Sequence, residues 1–160
     1  MPTILDNLLK RTSAALTTPG SEMRRAIATA HSAAYYAAIK ERTGVMPKGL
    51  SRAERADLKA AVAAQLQYYD KFAAQAGEMS DSAVAARAQM YAGAIKATYG
   101  QARHPGLPFY PTQGSECMTN CHCSWQDDGD GSYIWVLDAK ESCPTCIERA
   151  DGNPYEVENA

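Results

Sequence analysis

Apolar residues recur every three or four positions through most of the first hundred residues, a spacing typical of helices with one buried face. The pattern predicts a first helix over residues 3–16. A second helix is predicted from Ser21, a residue type that caps helix starts, to Gly44, a residue type that ends them. Many positions in these segments are alanine, which favours helix because it loses no side-chain entropy on ordering.

The third and fourth helices are marked by their first residues. Ser51 and Glu54 have the spacing of a capping box, in which the serine oxygen and the glutamate carboxylate satisfy unpaired amides at a helix start. This third helix is predicted to close at Gly77. A fourth is predicted to begin at Ser80 and to stop near Gly100.

The pattern changes after residue 104. Three prolines within seven residues are incompatible with helix and predict a stiff, extended connector over residues 105–114. Two runs typical of strands follow, over residues 121–125 and 133–137, joined by an acidic, glycine-containing turn. The sequence therefore predicts a mainly α fold, with about four Ala-rich helices in residues 1–104 and a small β-hairpin module in residues 115–160.

Composition and charge divide at the same place. Of the 29 alanines, 26 lie in residues 1–104, whereas all five cysteines and both tryptophans lie in residues 105–160. The first part has 14 Lys and Arg against 8 Asp and Glu, a formal charge of +6; the second has 2 against 10, or −8. We therefore expect the basic helices to meet an acidic surface, for which another copy of the chain is a candidate.

The sequence has neither an apolar run of about 18 residues nor a signal-like N-terminus. We therefore expect no membrane partner and a protein that stays in the cytosol where it is made. In such a compartment cysteines are more often metal ligands or thiols than members of a disulfide framework.

The five cysteines form two groups with metal-ligand spacing. Cys117, Cys121 and Cys123 make up the first, and Cys143 and Cys146 follow after a gap of 19 residues. Two such groups across a hairpin can surround one tetrahedral ion, and a module of about 45 residues with few aliphatic side chains gains stability from a metal. The sequence predicts one structural Zn2+ per chain, with five thiols available for four positions.

Two other functions compete with this interpretation. The run Cys143-Pro144-Thr145-Cys146 looks like a glutaredoxin dithiol, which would make the protein a thiol–disulfide oxidoreductase, but that motif normally lies early in a βαβ unit. A cytosolic zinc-binding regulatory module is the other alternative. Nucleic acid is disfavoured as its partner, because the zinc segment carries −8 and the basic residues are spread over many helical turns.

The sequence contains no motif that nominates a catalytic residue, so we expect a protein that is not an enzyme. The acidic stretch 127–131 does not fit a calcium loop, because the loop's first and twelfth positions fall on Gln126 and Leu137. We interpret His31, His104 and His122 as surface histidines rather than ligands.

Several motifs in the second half of the chain occur together. They are Tyr91-Ala92-Gly93-Ala94, Leu107-Pro108-Phe109-Tyr110-Pro111, Gly114-Ser115, Asn120-Cys121-His122-Cys123, Trp125, Trp135, Cys143-Pro144-Thr145-Cys146 and Asn153-Pro154-Tyr155. In this combination the segment resembles the C-terminal end of tailed-bacteriophage head-morphogenesis, or minor capsid, proteins, in which an Asn-Cys-x-Cys strand near the C-terminus recurs. Those proteins are usually considerably longer than this chain.

The resemblance implies a structural component of a phage virion, assembled in the host cytoplasm, that contacts capsid or portal proteins. The charge split adds copies of the chain itself as an expected partner. On this interpretation the metal holds an acidic module rigid. The module would then present Trp125 or Trp135, together with Tyr133 and Tyr155, to a partner.

Overall fold

The regular elements of the described part of the chain are four α-helices, a short 3-10 helix over Ala76–Glu78 and a three-stranded sheet. The computed structural model describes Asn7 and residues 21–116, 121–138 and 142–157. The helices are α1 (Ser21–Thr43), α2 (Arg52–Gln75), α3 (Asp81–Arg103) and α4 (Pro144–Asp151), and the strands are β1 (Ser124–Gly129), β2 (Ser132–Val136) and β3 (Tyr155–Glu156). This architecture confirms the mainly α fold with a small C-terminal hairpin. The predicted helix over residues 3–16 lies, apart from Asn7, outside the described residues.

The helices α1, α2 and α3 pack side by side, with α1 in contact with both of the others. At one end Met23 and Ile27 of α1 pack against Tyr69, Phe72 and Tyr91. Further along, alanines line the contact between α1 and α3, and their small side chains allow the two backbones to approach closely. None of the helices in the described ranges is long and apolar enough to cross a membrane.

Local signals set the ends of the helices. The capping box before α2 is present: the Glu54 amide donates to Ser51 Oγ at 3.2 Å, and the Ser51 amide donates to Glu54 Oε2 at 2.8 Å. Gly44 follows α1 with a φ of +77°, and its amide donates to the Lys40 carbonyl at 2.8 Å. A residue in this left-handed conformation closes a helix, and glycine adopts the conformation at the lowest energetic cost.

The proline-rich connector folds back against the end of α3. The sequence predicts that this helix stops near Gly100, but it continues to Arg103. Gly100 is buried, and a Cβ at this position would lie 3.3 Å from both the Tyr110 ring and Pro111. The glycine therefore serves the close approach of the connector and does not end the helix.

The predicted hairpin forms, and a third strand joins it. In β1 and β2 the two tryptophans, Trp125 and Trp135, lie opposite each other. The short strand β3 pairs antiparallel with β2, and with only two residues it is too short for a sequence pattern to indicate. Just before β3, the side-chain amide of Asn153 extends the pairing. Its Oδ1 accepts from the backbone amide of Trp135 at 2.6 Å, and its Nδ2 donates to the Trp135 carbonyl at 3.1 Å.

The aromatic residues of the module form its core, so the prediction that the tryptophans face a partner is wrong. Trp135 is 1% exposed and Trp125 is 9% exposed. The Phe109 ring from the connector stacks on Trp125, with ring centres 4.9 Å apart. The Arg149 guanidinium covers the Phe109 ring at 4.2 Å. A module this small has few other large apolar side chains, so its aromatic residues are needed inside.

Candidate metal centre

Three of the predicted ligands meet in one buried cluster. The Sγ atoms of Cys121, Cys123 and Cys146 all lie within 4.8 Å of one another. The Sγ atoms of Cys121 and Cys146 are 3.8 Å apart. Sulfur ligands at about 2.3 Å from a tetrahedral Zn2+ are separated by about 3.8 Å, which is the spacing of this pair. The three thiols could therefore hold a metal ion.

An extended segment leading into β1 positions the first pair of thiols. Cys121 and Cys123 are buried, whereas His122 between them is exposed. This alternation follows the two-residue period of extended backbone, which sends every second side chain to the same face. The interpretation of His122 as a surface residue agrees with its exposure.

The start of α4 positions the second pair. Cys143 caps the helix, and its carbonyl accepts from the amides of Cys146 at 2.9 Å and Ile147 at 3.1 Å. The thiols that all lie within 4.8 Å of one another include that of Cys146 but not that of Cys143. The Cys143 thiol is half-buried and hydrogen-bonds to that of Cys146. Cys117, the fifth predicted ligand, lies outside the described residues.

Burial raises the pKa of the Cys146 thiol far above its ordinary value. Hydrogen bonds to Cys143 and Cys123 and the nearby charge of Cys121 act in the same direction. A bound cation would instead favour the thiolate form, because the positive charge stabilises it. None of the four described cysteines forms a disulfide.

Comparison of the chain with protein-family models, curated proteins and solved structures found no match.

The chemistry available to the cluster follows from its donors. The structure brings three thiols together. A structural site has protein ligands at all four positions around the ion, whereas a catalytic site keeps one position open. Cys121 and Cys146 are 2% and 0% exposed, so surrounding side chains cover most of the cluster.

The spacing of the cysteines gives no indication of Lys96, which lies in α3 beside the cluster. Its Nζ donates to the Cys121 carbonyl at 3.3 Å. Lys96 also lines a groove of about 500 Å³ between α3 and the start of β1, along with Arg103, His104 and His122. Cys121, Cys123 and Asp127 line the same groove, so two cations, Lys96 and Arg103, and one carboxylate lie beside the cluster.

The interpretation of His31 as a surface residue is wrong. It is 1% exposed, and its Nδ1 lies 2.6 Å from Thr98 Oγ1 across the α1–α3 contact. Burial lowers the pKa of His31 from 6.5 to about 4, so its ring is neutral at pH 7. His104 is half-buried, and burial followed by the charge of Arg103 lowers its pKa as well.

Proposed function

We propose that this chain is a non-enzymatic structural component of a tailed-phage virion, a minor capsid or head-assembly protein, whose C-terminal module is held by one structural Zn2+. The observation that carries the proposal is the buried cluster of Cys121, Cys123 and Cys146. Two of these thiols belong to the Asn120–Cys123 motif and the third to the Cys143–Cys146 motif, which are two of the motifs that carry the phage resemblance.

We assign the fourth position around the zinc to Cys143. Its thiol hydrogen-bonds to that of Cys146, and it directly precedes α4, three residues before Cys146. Cys117 is the competing fifth thiol. An all-sulfur set of four carries a net charge of about −2 with Zn2+, for which Lys96 is the nearby counter-charge.

Elemental analysis of the purified full chain tests the metal. We expect one equivalent of zinc per chain, and less than half an equivalent with all five thiols titratable would contradict the proposal. Replacing Cys143 by Ser is expected to lower zinc content and melting temperature. Cys117→Ser is the matched variant: if it removes zinc while Cys143→Ser does not, the fourth ligand is Cys117.

The same variants separate this role from the oxidoreductase alternative. In the structural role, Cys146→Ser lowers the melting temperature of the module, and the wild-type protein has no disulfide reductase activity for the substitution to abolish. Reductase activity that is lost in both Cys143→Ser and Cys146→Ser would contradict the structural role.

Capsid and portal proteins are the proposed partners, and the virion is the proposed location. The test is mass spectrometry of particles purified from cells that produce the phage carrying this gene. We expect the chain in the particles at a fixed ratio to the portal or major capsid protein, and loss of its gene should yield defective heads. Complete particles that lack the chain would contradict the virion assignment.

A further inference from the structure

The turn between α1 and α2 holds two neighbouring apolar side chains in solvent. Val45 is 69% exposed and Met46 is 51% exposed. Among the described residues they are the only exposed large hydrophobic residues that are adjacent in the chain. Single exposed apolar residues are common on protein surfaces, but an adjacent pair at the tip of a turn forms a small contact surface.

Hydrogen bonds at both ends hold the turn in this shape. On the α1 side, the Val45 amide donates to Thr43 Oγ1 at 3.3 Å, directly after the left-handed Gly44. On the α2 side, Leu50 is buried and its carbonyl accepts from Arg55 Nη1 at 2.6 Å. The exposure of Val45 and Met46 therefore comes from an ordered backbone with fixed ends.

Three exposed cations flank the pair: Lys40 in the last turn of α1, Lys48 in the turn and Arg52 at the start of α2. In the described part of the chain, none of the three makes an ion pair, whereas Arg24 and Arg42 pair with Asp70 and Glu54. We call the five residues the turn surface: Val45, Met46, Lys40, Lys48 and Arg52. It is apolar at its centre and basic at its edge.

A surface with the opposite charge lies on α4. Residues that follow a helical position by three, four and seven places lie on the same side of the helix. On α4 one such set is Pro144, Ile147, Glu148 and Asp151. All four are exposed, and Ile147 is 45% exposed. This α4 face, defined by these four residues, combines two apolar side chains with two carboxylates.

We propose that the turn surface of one copy docks on the α4 face of a second copy. Val45 and Met46 would cover Pro144 and Ile147, while the lysines and Arg52 pair with Glu148 and Asp151. The proposal deepens the proposed function, because it names the surfaces through which copies of an assembly protein meet. The proposed contact is head-to-tail and not reciprocal, so each pair of copies leaves one of each surface open for further copies.

Sedimentation velocity of the zinc-loaded full chain tests the contact over a range of protein and salt concentrations. Wild type is expected to form species larger than a dimer at low salt, and to dissociate as added salt screens the charges. The turn variant Val45→Ser/Met46→Ser/Lys48→Glu and the α4 variant Glu148→Lys/Asp151→Lys should each weaken self-association at least about tenfold. Zinc content and melting temperature serve as checks that both variants fold.

Mixing the two variants provides the decisive measurement. The turn variant keeps an intact α4 face and the α4 variant keeps an intact turn surface, so a 1:1 mixture has one working contact. We expect 1:1 dimers that do not grow further. The matched control Asp128→Lys/Glu156→Lys makes the same change in charge on the sheet of the module, and it should assemble as wild type does.

Three results would overturn the proposal: a monomeric wild type at every concentration, variants that still assemble alone, or a mixture that stays monomeric. Binding of wild type but not of the turn variant to phosphatidylserine vesicles, with no self-association, would assign the turn surface to a membrane instead and also overturn it. A monomer that holds one zinc and is found in virions would overturn only this contact. The proposed function would then stand.

Discussion

The ammonium group of Lys96 in α3 donates a hydrogen bond to the backbone carbonyl of Cys121, with Nζ and O 3.3 Å apart. The bond joins the helices to the segment that carries two clustered thiols. It holds the Cys121 backbone in place and brings a positive charge next to a site that is negative when its thiols are ionised. Partners of this kind outside the ligand shell commonly change metal affinity by about 10- to 100-fold.

We therefore expect Lys96→Met to weaken zinc binding by about tenfold or more, measured by competition with a chromophoric chelator. Lys96→Arg should recover part of the affinity because it keeps the charge and a donor. Lys71→Met is the control, since Lys71 is an exposed lysine of α2. Equal affinities for wild type and Lys96→Met would show that Lys96 does not support the site.

Removal of the metal should be visible in tryptophan fluorescence. Both tryptophans belong to the module and are buried beside the thiols, so their emission reports the module alone. Chelation is expected to shift the emission to the red and to lower the melting temperature, because a module this small depends on its metal to fold. Far-UV circular dichroism should change little, since α4 has only 8 residues against 23, 24 and 23 in α1, α2 and α3. Unchanged emission in the zinc-free protein would contradict a structural metal.

Acid should destabilise the helices through His31. The folded-state pKa of about 4 lies below the ordinary histidine value of 6.5, so the unfolded chain binds the proton more readily. The contribution of His31 is complete above pH 6.5 and is lost as the pH falls toward 4, by up to about 1.4 kcal/mol per pH unit. The free energy of unfolding, measured with urea between pH 7 and 4.5, should fall less steeply in His31→Gln than in wild type. The control is His122→Gln, which replaces an exposed histidine and should lose stability with pH as wild type does. If His31→Gln loses stability as steeply as wild type, His31 does not have this role.

Gly152→Ala should destabilise the module for a steric reason. A Cβ at this position would overlap the Tyr155 hydroxyl, which donates to the Arg149 carbonyl at 2.8 Å. We expect a loss of about 1–3 kcal/mol in the free energy of unfolding, measured with denaturant. Gly77→Ala, which meets no atom within 4 Å, is the control. Tyr155→Phe should restore part of the loss in the double variant, and purely additive effects would contradict the clash.

The features that the sequence determined by itself are local ones. Ser51 and Glu54 cap α2 through bonds that span three residues, and Gly44 closes α1 through its own backbone. The burial of Cys121 and Cys123 follows from a two-residue period in the chain. Each signal acts within about one turn or strand repeat, so it can be predicted before the fold is known.

Only the tertiary structure decided which distant residues meet. His31 and Thr98 are 67 positions apart in the chain, and Lys96 and Cys121 are 25 apart. The burial of Trp135 and the continuation of α3 through Gly100 also depend on how the connector and the sheet pack. Local preferences are weak, and side chains that are far apart in sequence come together only when burial of apolar surface selects one packing of the elements.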